Sequence, residues 1–201
     1  MHDGVVYIGS FDQKLHAVDA ETGAEVWNFP TGAAIASTPL IYNNTIYIGS
    51  FDRKFYAINL DGTEKWNEPF EAGNWFWGKA VAYGDTIIAG CLDGRVYALD
   101  TETGKCRWHF PTEGRVGPIR GDPALVADAV VFGSEDGKVY ALDAATGQEL
   151  WCYPPEEDYI GPVRAPVYAG NGIVYIHSTN QKIYALEMEY GRINWSFSTR
   201  D

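Results

Sequence analysis

Ala17-Val18-Asp19-Ala20-Glu21-Thr22-Gly23-Ala24-Glu25-Val26-Trp27 returns as Ala98-Leu99-Asp100-Thr101-Glu102-Thr103-Gly104-Lys105-Cys106-Arg107-Trp108 and again as Ala141-Leu142-Asp143-Ala144-Ala145-Thr146-Gly147-Gln148-Glu149-Leu150-Trp151. Looser copies run through Ala57-Ile58-Asn59, Gly62 and Trp66, and through Ala185-Leu186-Glu187, Gly191 and Trp195. The five tryptophans are separated by 39, 42, 43 and 44 residues, and each follows a glycine by four. A period near forty marks an array of one supersecondary unit. Upstream of each copy lies an apolar segment: Tyr7-Ile8-Gly9-Ser10, Tyr47-Ile48-Gly49-Ser50, Ile88-Ala89-Gly90-Cys91, Val131-Phe132-Gly133-Ser134 and Tyr175-Ile176-His177-Ser178. Segments this short, rich in β-branched and aromatic residues and bounded by turn formers, predict strands. In the second repeat the spacing predicts strands over 38–42, 45–50, 54–59 and 64–70. Asn43-Asn44 forms a tight turn between the first two, suited to positive φ.

A four-stranded sheet of about forty residues cannot bury both of its faces alone, so neighbouring copies must stack. Radial stacking makes the chain an all-β protein, a β-propeller with five blades over approximately 1–31, 32–71, 72–112, 113–155 and 156–201. The string Ala-aliphatic-Asp-x-x-Thr-Gly-x-x-x-Trp resembles the tryptophan-docking motif of the pyrroloquinoline quinone (PQQ) repeat family, and the resemblance covers essentially the whole chain. It implies that Trp27, Trp66, Trp108, Trp151 and Trp195 are structural, packed between blades where a large apolar ring finds one hydrogen-bond acceptor.

Repeats two to five each open with an innermost strand, whereas the first repeat has none, so nineteen of twenty strands are expected. PQQ-repeat propellers resemble rings of seven or eight blades. Two architectures therefore stand open, a closed five-bladed ring or an open part of a larger propeller, and the second would self-associate through its open blade edges.

The formal net charge of -12 argues against a nucleic-acid partner. No apolar run is long enough to insert in a membrane, and no signal peptide is present in the sequence as given. The family resemblance leans towards a periplasmic or extracytoplasmic site. Three cysteines without metal-ligand spacing suggest buried free thiols rather than a zinc site, and the scattered histidines indicate no metal centre.

Shared positions are explained by packing, so function is sought where the copies differ. The connections leading from each fourth strand to the next inner strand vary most, and in a propeller they line one mouth of the central channel. They place Trp75, Trp77, Lys79, Arg120 and Arg164 there as candidate ligand-binding residues, with Arg115, Asp122 and Tyr159 nearby. Gly117-Pro118-Ile119-Arg120 and Gly161-Pro162-Val163-Arg164 put two arginines at matching places on adjacent blades. Guanidinium groups beside aromatic faces suit a carboxylate-bearing planar ligand or an acidic peptide. The plainer expectation is that the arginines pair with Asp122, Glu113 or an acid of 156–158 and tie blades together.

Quinoprotein dehydrogenases resemble this fold but hold PQQ on a tryptophan with calcium bound by Glu and Asn, use an Asp base, and commonly carry adjacent cysteines. The chain has no adjacent cysteines and no convincing Glu/Asn/Asp set around one axial point. The expectation is a non-catalytic module that binds or scaffolds protein or peptide partners, without a cofactor. It is similar in this to the propeller lipoprotein of the outer-membrane barrel assembly machine. The alternatives are a fragment of a PQQ-dependent alcohol or sugar dehydrogenase, with PQQ and calcium, and a carbohydrate-binding propeller using Trp75 and Trp77.

Overall fold

In the computed structural model, residues 1–155 and 158–200 are described. They form five antiparallel sheets, each a meander of consecutive strands. The first sheet has three strands, Val5–Gly9, Lys14–Asp19 and Glu25–Pro30. The second has Leu40–Tyr42, Thr45–Gly49, Lys54–Asn59 and Phe70–Glu71. The other three have four strands each and occupy 81–110, 124–153 and 168–198.

The repeated string is explained strand by strand. Ala17, Ala98, Ala141 and Ala185 lie directly across the ladder from Trp27, Trp108, Trp151 and Trp195, where a small residue leaves room for the indole. A bulge follows each of these alanines and turns the fourth strand as it leaves the tight turn. Asp19 Oδ1 accepts hydrogen bonds from the Thr22 amide and hydroxyl, both at 2.7 Å, and Asp100 and Asp143 hold Thr103 and Thr146 in the same way. Gly104 follows at φ 70°, a conformation costly for residues with a Cβ. The donors hold the Asp19 and Asp143 carboxyls below the usual carboxylate range.

Four of the five tryptophans then reach across to the next blade. The Trp66 indole lies on Gly104, where an added Cβ would meet the ring at 2.7 Å, and its Nε1 donates to the Thr101 carbonyl at 2.9 Å. Trp27 lies on Gly62, Trp108 on Gly147 and Trp151 on Gly191. Trp27 and Trp151 donate to Leu60 and Met188 carbonyls, while Trp108 Nε1 is buried without a partner among the described residues. A second ring contact accompanies each joint: Phe29 on Tyr56, Phe70 on Tyr97, Phe110 on Tyr140 and Tyr153 on Tyr184. The Tyr56, Tyr97 and Tyr140 hydroxyls donate to Asp52, Asp93 and Asp136. Burial first, and the aspartates second, raise these phenols above their ordinary range.

Four expectations need correction. The arc is open, so the closed five-bladed ring is excluded: nothing lies within 4 Å of a Cβ built on Gly23, and Trp195 is 48% exposed. Trp195 differs from the other four tryptophans: among the described residues no blade packs on its face. The fourth strand of blade 2 is only Phe70–Glu71, not 64–70. There the aromatic that packs on the next blade follows Trp66 by four residues rather than two, and Pro69 cannot donate to the ladder. Finally, of the cysteines only Cys91 is buried; Cys106 is exposed on the outermost strand of its blade. Asn43 and Asn44 do adopt φ of 46° and 56° as expected.

Candidate functional site

Inserting the connections between blades requires close backbone approach at glycines in the strand preceding the Ser/Cys column. Ile35, Phe76, Ile119 and Val163 sit over Gly9, Gly49, Gly90 and Gly133, each within 2.6 Å of where a Cβ would stand. These four apolar plugs fix the register of the connections, so the residues after them, Ala36, Trp77, Arg120 and Arg164, form one column around the axis. A second column comes from the turns after the Gly-Ser pairs: Phe11, Phe51, Leu92, Glu135 and Thr179.

The two columns interleave into one continuous surface. Phe11 meets Phe51 edge-on at 6.2 Å between ring centroids. Phe51 stacks on Trp75 at 4.6 Å and on Trp77 at 5.0 Å. The Arg120 guanidinium carbon stands 4.4 Å from the Trp77 centroid. Arg120 Nε and Arg164 Nε both donate to Glu135 Oε1, at 3.1 and 3.0 Å. Phe11 is 73% and Trp75 42% exposed, so the aromatic end of the surface faces water.

Of the candidates drawn from sequence, Trp75, Trp77, Arg120 and Arg164 are brought together here. Lys79 is not among them: its amide donates to Asp122 Oδ1 at 2.7 Å, and it lines a separate axial cleft of about 520 Å³ with Tyr42, Asp122 and Tyr168. Arg115 lies over the Gly94 turn and Tyr159 over Gly137. The arginines pair with Glu135 rather than with Asp122 or Glu113, because Asp122 is turned to the Lys79 amide; Glu156 and Glu157 lie outside the described residues. Phe11, Phe51 and Glu135 were missed by sequence reasoning, which sought function only in the connections from each fourth strand to the next inner strand. The signal was present as a repeat column running from aromatic through aliphatic to acidic.

Chemically, two guanidinium groups share one carboxylate oxygen. Their Nη atoms have no partner among the described residues, so the surface keeps unused donors beside an aromatic stack. Among the described residues no three His, Cys, Asp or Glu side chains converge as a metal site would require. Among the described residues that form this surface Glu135 is the one acid, and it is already engaged by two arginines, so these residues do not fit a PQQ–calcium centre.

The sequence model of the family described as outer membrane protein assembly factor BamB matches residues 1–197. The chain belongs to this PQQ-repeat family. Among solved structures, BamB from Moraxella catarrhalis superimposes with a TM-score of 0.80 at 20% identity, over 96% of this chain and 61% of that one. The computationally designed protein Ika8 gives 0.69 at 16% identity, over 98% and 72%. Both likenesses are of fold. Among curated proteins, the chain is 35% identical over 138 residues to the serine/threonine-protein kinase AfsK of Streptomyces griseus, and 30% over 127 residues to the quinohemoprotein alcohol dehydrogenase ADH IIB of Pseudomonas putida. These matches cover 63% and 62% of this PQQ-repeat chain but only 16% and 14% of the relatives' lengths. No helix among the described residues is long and apolar enough to cross a membrane.

Proposed function

We propose that this PQQ-repeat propeller is a non-catalytic binding module that receives a protein segment on the surface running from Phe11 and Phe51 through Trp75 and Trp77 to Arg120 and Arg164. The observation that carries this reading is the pair of arginines sharing Glu135 Oε1 next to a partly exposed aromatic stack. A segment with an aromatic side chain beside a carboxylate meets both halves: the ring adds to the stack and the carboxylate takes the unused guanidinium donors. The match to a family described as an assembly factor supports protein partners in an extracytoplasmic setting, and no cofactor takes part. A sugar ring is less well served, because Trp77 is already stacked with Phe51 and Arg120.

The test is to pan a displayed peptide library against the wild-type chain and against the Trp75→Ala/Arg120→Ala variant. The expected result is enrichment of aromatic-acidic sequences that bind the wild type and lose at least about tenfold in affinity on the variant, the scale of one lost hot spot. Equal binding to both proteins, or no enrichment on the wild type, would overturn the reading.

A further inference from the structure

The third blade and the connection after it carry two arginines that meet no acid. Arg53, Arg107, Arg120 and Arg164 each pair with a carboxylate. Arg95 and Arg115 pair with none among the described residues, although the chain has a formal net charge of -12. They stand together in one cavity of about 370 Å³, with Gly73, Asp93, Tyr97 and Gly114. All of its walls belong to the third blade and the two connections that flank it, in the middle of the arc.

Both arginines are placed by backbone contacts. Arg95 Nη2 donates to the Gly114 carbonyl at 3.3 Å. Arg115 Cβ stands 3.2 Å from where a Cβ on Gly94 would be, and the next amide, Val116, donates to the Gly94 carbonyl at 3.0 Å. The one acid of the cavity is already committed. Asp93 Oδ2 accepts from the Gly73 amide and the Tyr97 hydroxyl, at 2.9 and 2.7 Å, and its Oδ1 from the Arg95 amide at 3.1 Å. Asp52 accepts from Gly32, Tyr56 and Lys54 in the same way, so this aspartate belongs to the repeat. The unpaired arginines do not: in the second blade the arginine of the same turn, Arg53, is closed off by Glu71 at 3.0 Å. Two guanidinium groups and one carboxylate leave one positive charge uncompensated, which a single further carboxylate neutralises. A phosphate group, at about −1.5 to −2, would leave negative charge in excess beside Asp93.

The cavity is the outer end of a trough that leads inward to the aromatic stack. Both of its walls are bonded to the turn that forms its floor: Leu92 N donates to the Trp75 carbonyl and Val116 N to the Gly94 carbonyl, each at 3.0 Å. Along the first wall, Gly73 in the cavity is two residues from Trp75 in the stack. An extended segment advances about 3.3–3.6 Å per residue and presents every second side chain to the same face. We propose that Arg95 and Arg115 form a carboxylate-binding pocket, which takes an acidic side chain two residues from the ring that the aromatic stack receives. This deepens the proposed function and rests on it only for the source of the carboxylate.

The test has two arms. In the first, the arginine Nε–H signals of the folded chain are followed by NMR as sodium acetate replaces sodium chloride at constant ionic strength. Saturating shifts are expected at Arg95 and Arg115 and none at Arg192, which stacks on Tyr190 elsewhere; the Arg95 shift is expected to vanish in Arg115→Gln, a change at an exposed position. In the second arm, the peptide Ac-Glu-Gly-Trp-Gly-Glu-NH2, which offers an acid two residues from the ring in either chain direction, is compared with its two single-Gln versions. The second Glu is expected to tighten binding about five- to tenfold on the wild type and by no measurable factor on Arg95→Gln/Arg115→Gln. Arg95 and Arg115 signals that move no more than that of Arg192, or a gain from the second Glu that survives in the double variant, would overturn the pocket. Saturation by acetate with no gain from the second Glu would overturn its link to the received segment. If no peptide binds while acetate saturates both arginines, the proposed function fails and the pocket stands.

Discussion

Trp66 and Trp195 occupy the same place in the same motif, yet Trp66 is 3% exposed and donates its indole N–H to the next blade, while Trp195 is half exposed with its face open to water. The difference lies in the neighbour. A blade of this family completes its core only when another blade supplies a glycine turn and an aliphatic face, so the repeat motif specifies a joint rather than a buried residue. Gly104 and Gly23 show the same from the receiving side: one is covered by an indole, the other by nothing, and both have positive φ.

The contrast breaks most clearly at the tryptophans. Trp66→Ala is expected to cost about 3–5 kcal/mol in chemical denaturation, as for large buried aromatics, whereas Trp195→Ala in a dilute sample is expected to cost about 1 kcal/mol, in proportion to its half burial. Equal costs would mean that the end face is covered. The receiving glycines sharpen the point. Gly104→Ala meets both the backbone penalty and the Trp66 ring and is expected to cost about 2–4 kcal/mol; Gly23→Ala meets the backbone penalty alone, about 1–2 kcal/mol, so the difference between the two melts isolates the docked ring. At the second ring contact, Tyr140→Phe removes the hydroxyl donor to the Asp136 carboxylate and is expected to cost about 2 kcal/mol.

The smallest effect is a pH dependence confined to the first blade. Hydrogen bonds to Glu25 and Asp12 raise the His16 pKa above its ordinary value, against a smaller opposing effect of burial. A folded-state pKa raised in this way contributes stability that is fully present below about pH 6.5 and lost as pH rises through the folded value. Asp12 and Glu25, both lowered, contribute in the opposite sense, losing their part only as pH falls through the carboxylate range. Denaturation midpoints compared between about pH 6 and pH 8.5 are expected to fall for the wild type and to stay flatter for His16→Phe. Tyr56, Tyr97 and Tyr140, at the matching places, are raised above the ordinary tyrosine range, so an identical slope in both proteins would contradict the assignment.

The repeat was legible in sequence because its residues act locally: Asp19 holds Thr22 three residues away, and Ala17 faces Trp27 across one ladder. The same local chemistry revealed the positive φ at Asn43 and Asn44. Ring closure was not legible, because it depends on whether Trp195 meets Gly23, a contact the motif permits but the curvature of the arc decides. The candidate surface was half legible. Trp75, Trp77, Arg120 and Arg164 stand out as departures in variable connections, but Phe51 and Glu135 lie in short turns whose role is set by which connection folds over them. Glu135 is distant in sequence from Arg164 and on a different blade, so no local spacing announces their pairing.

Hydrogen exchange of the indole N–H groups, followed by NMR in a dilute sample, tests most directly the claim that blade joints bury these tryptophans and that one joint is left open. The account predicts slow exchange for Trp27, Trp66 and Trp151, whose N–H groups are bonded across joints, and exchange at the rate of a free indole for Trp195. Protection of Trp195 equal to that of Trp66 at every dilution would mean that the five blades close on themselves and would contradict the open arc.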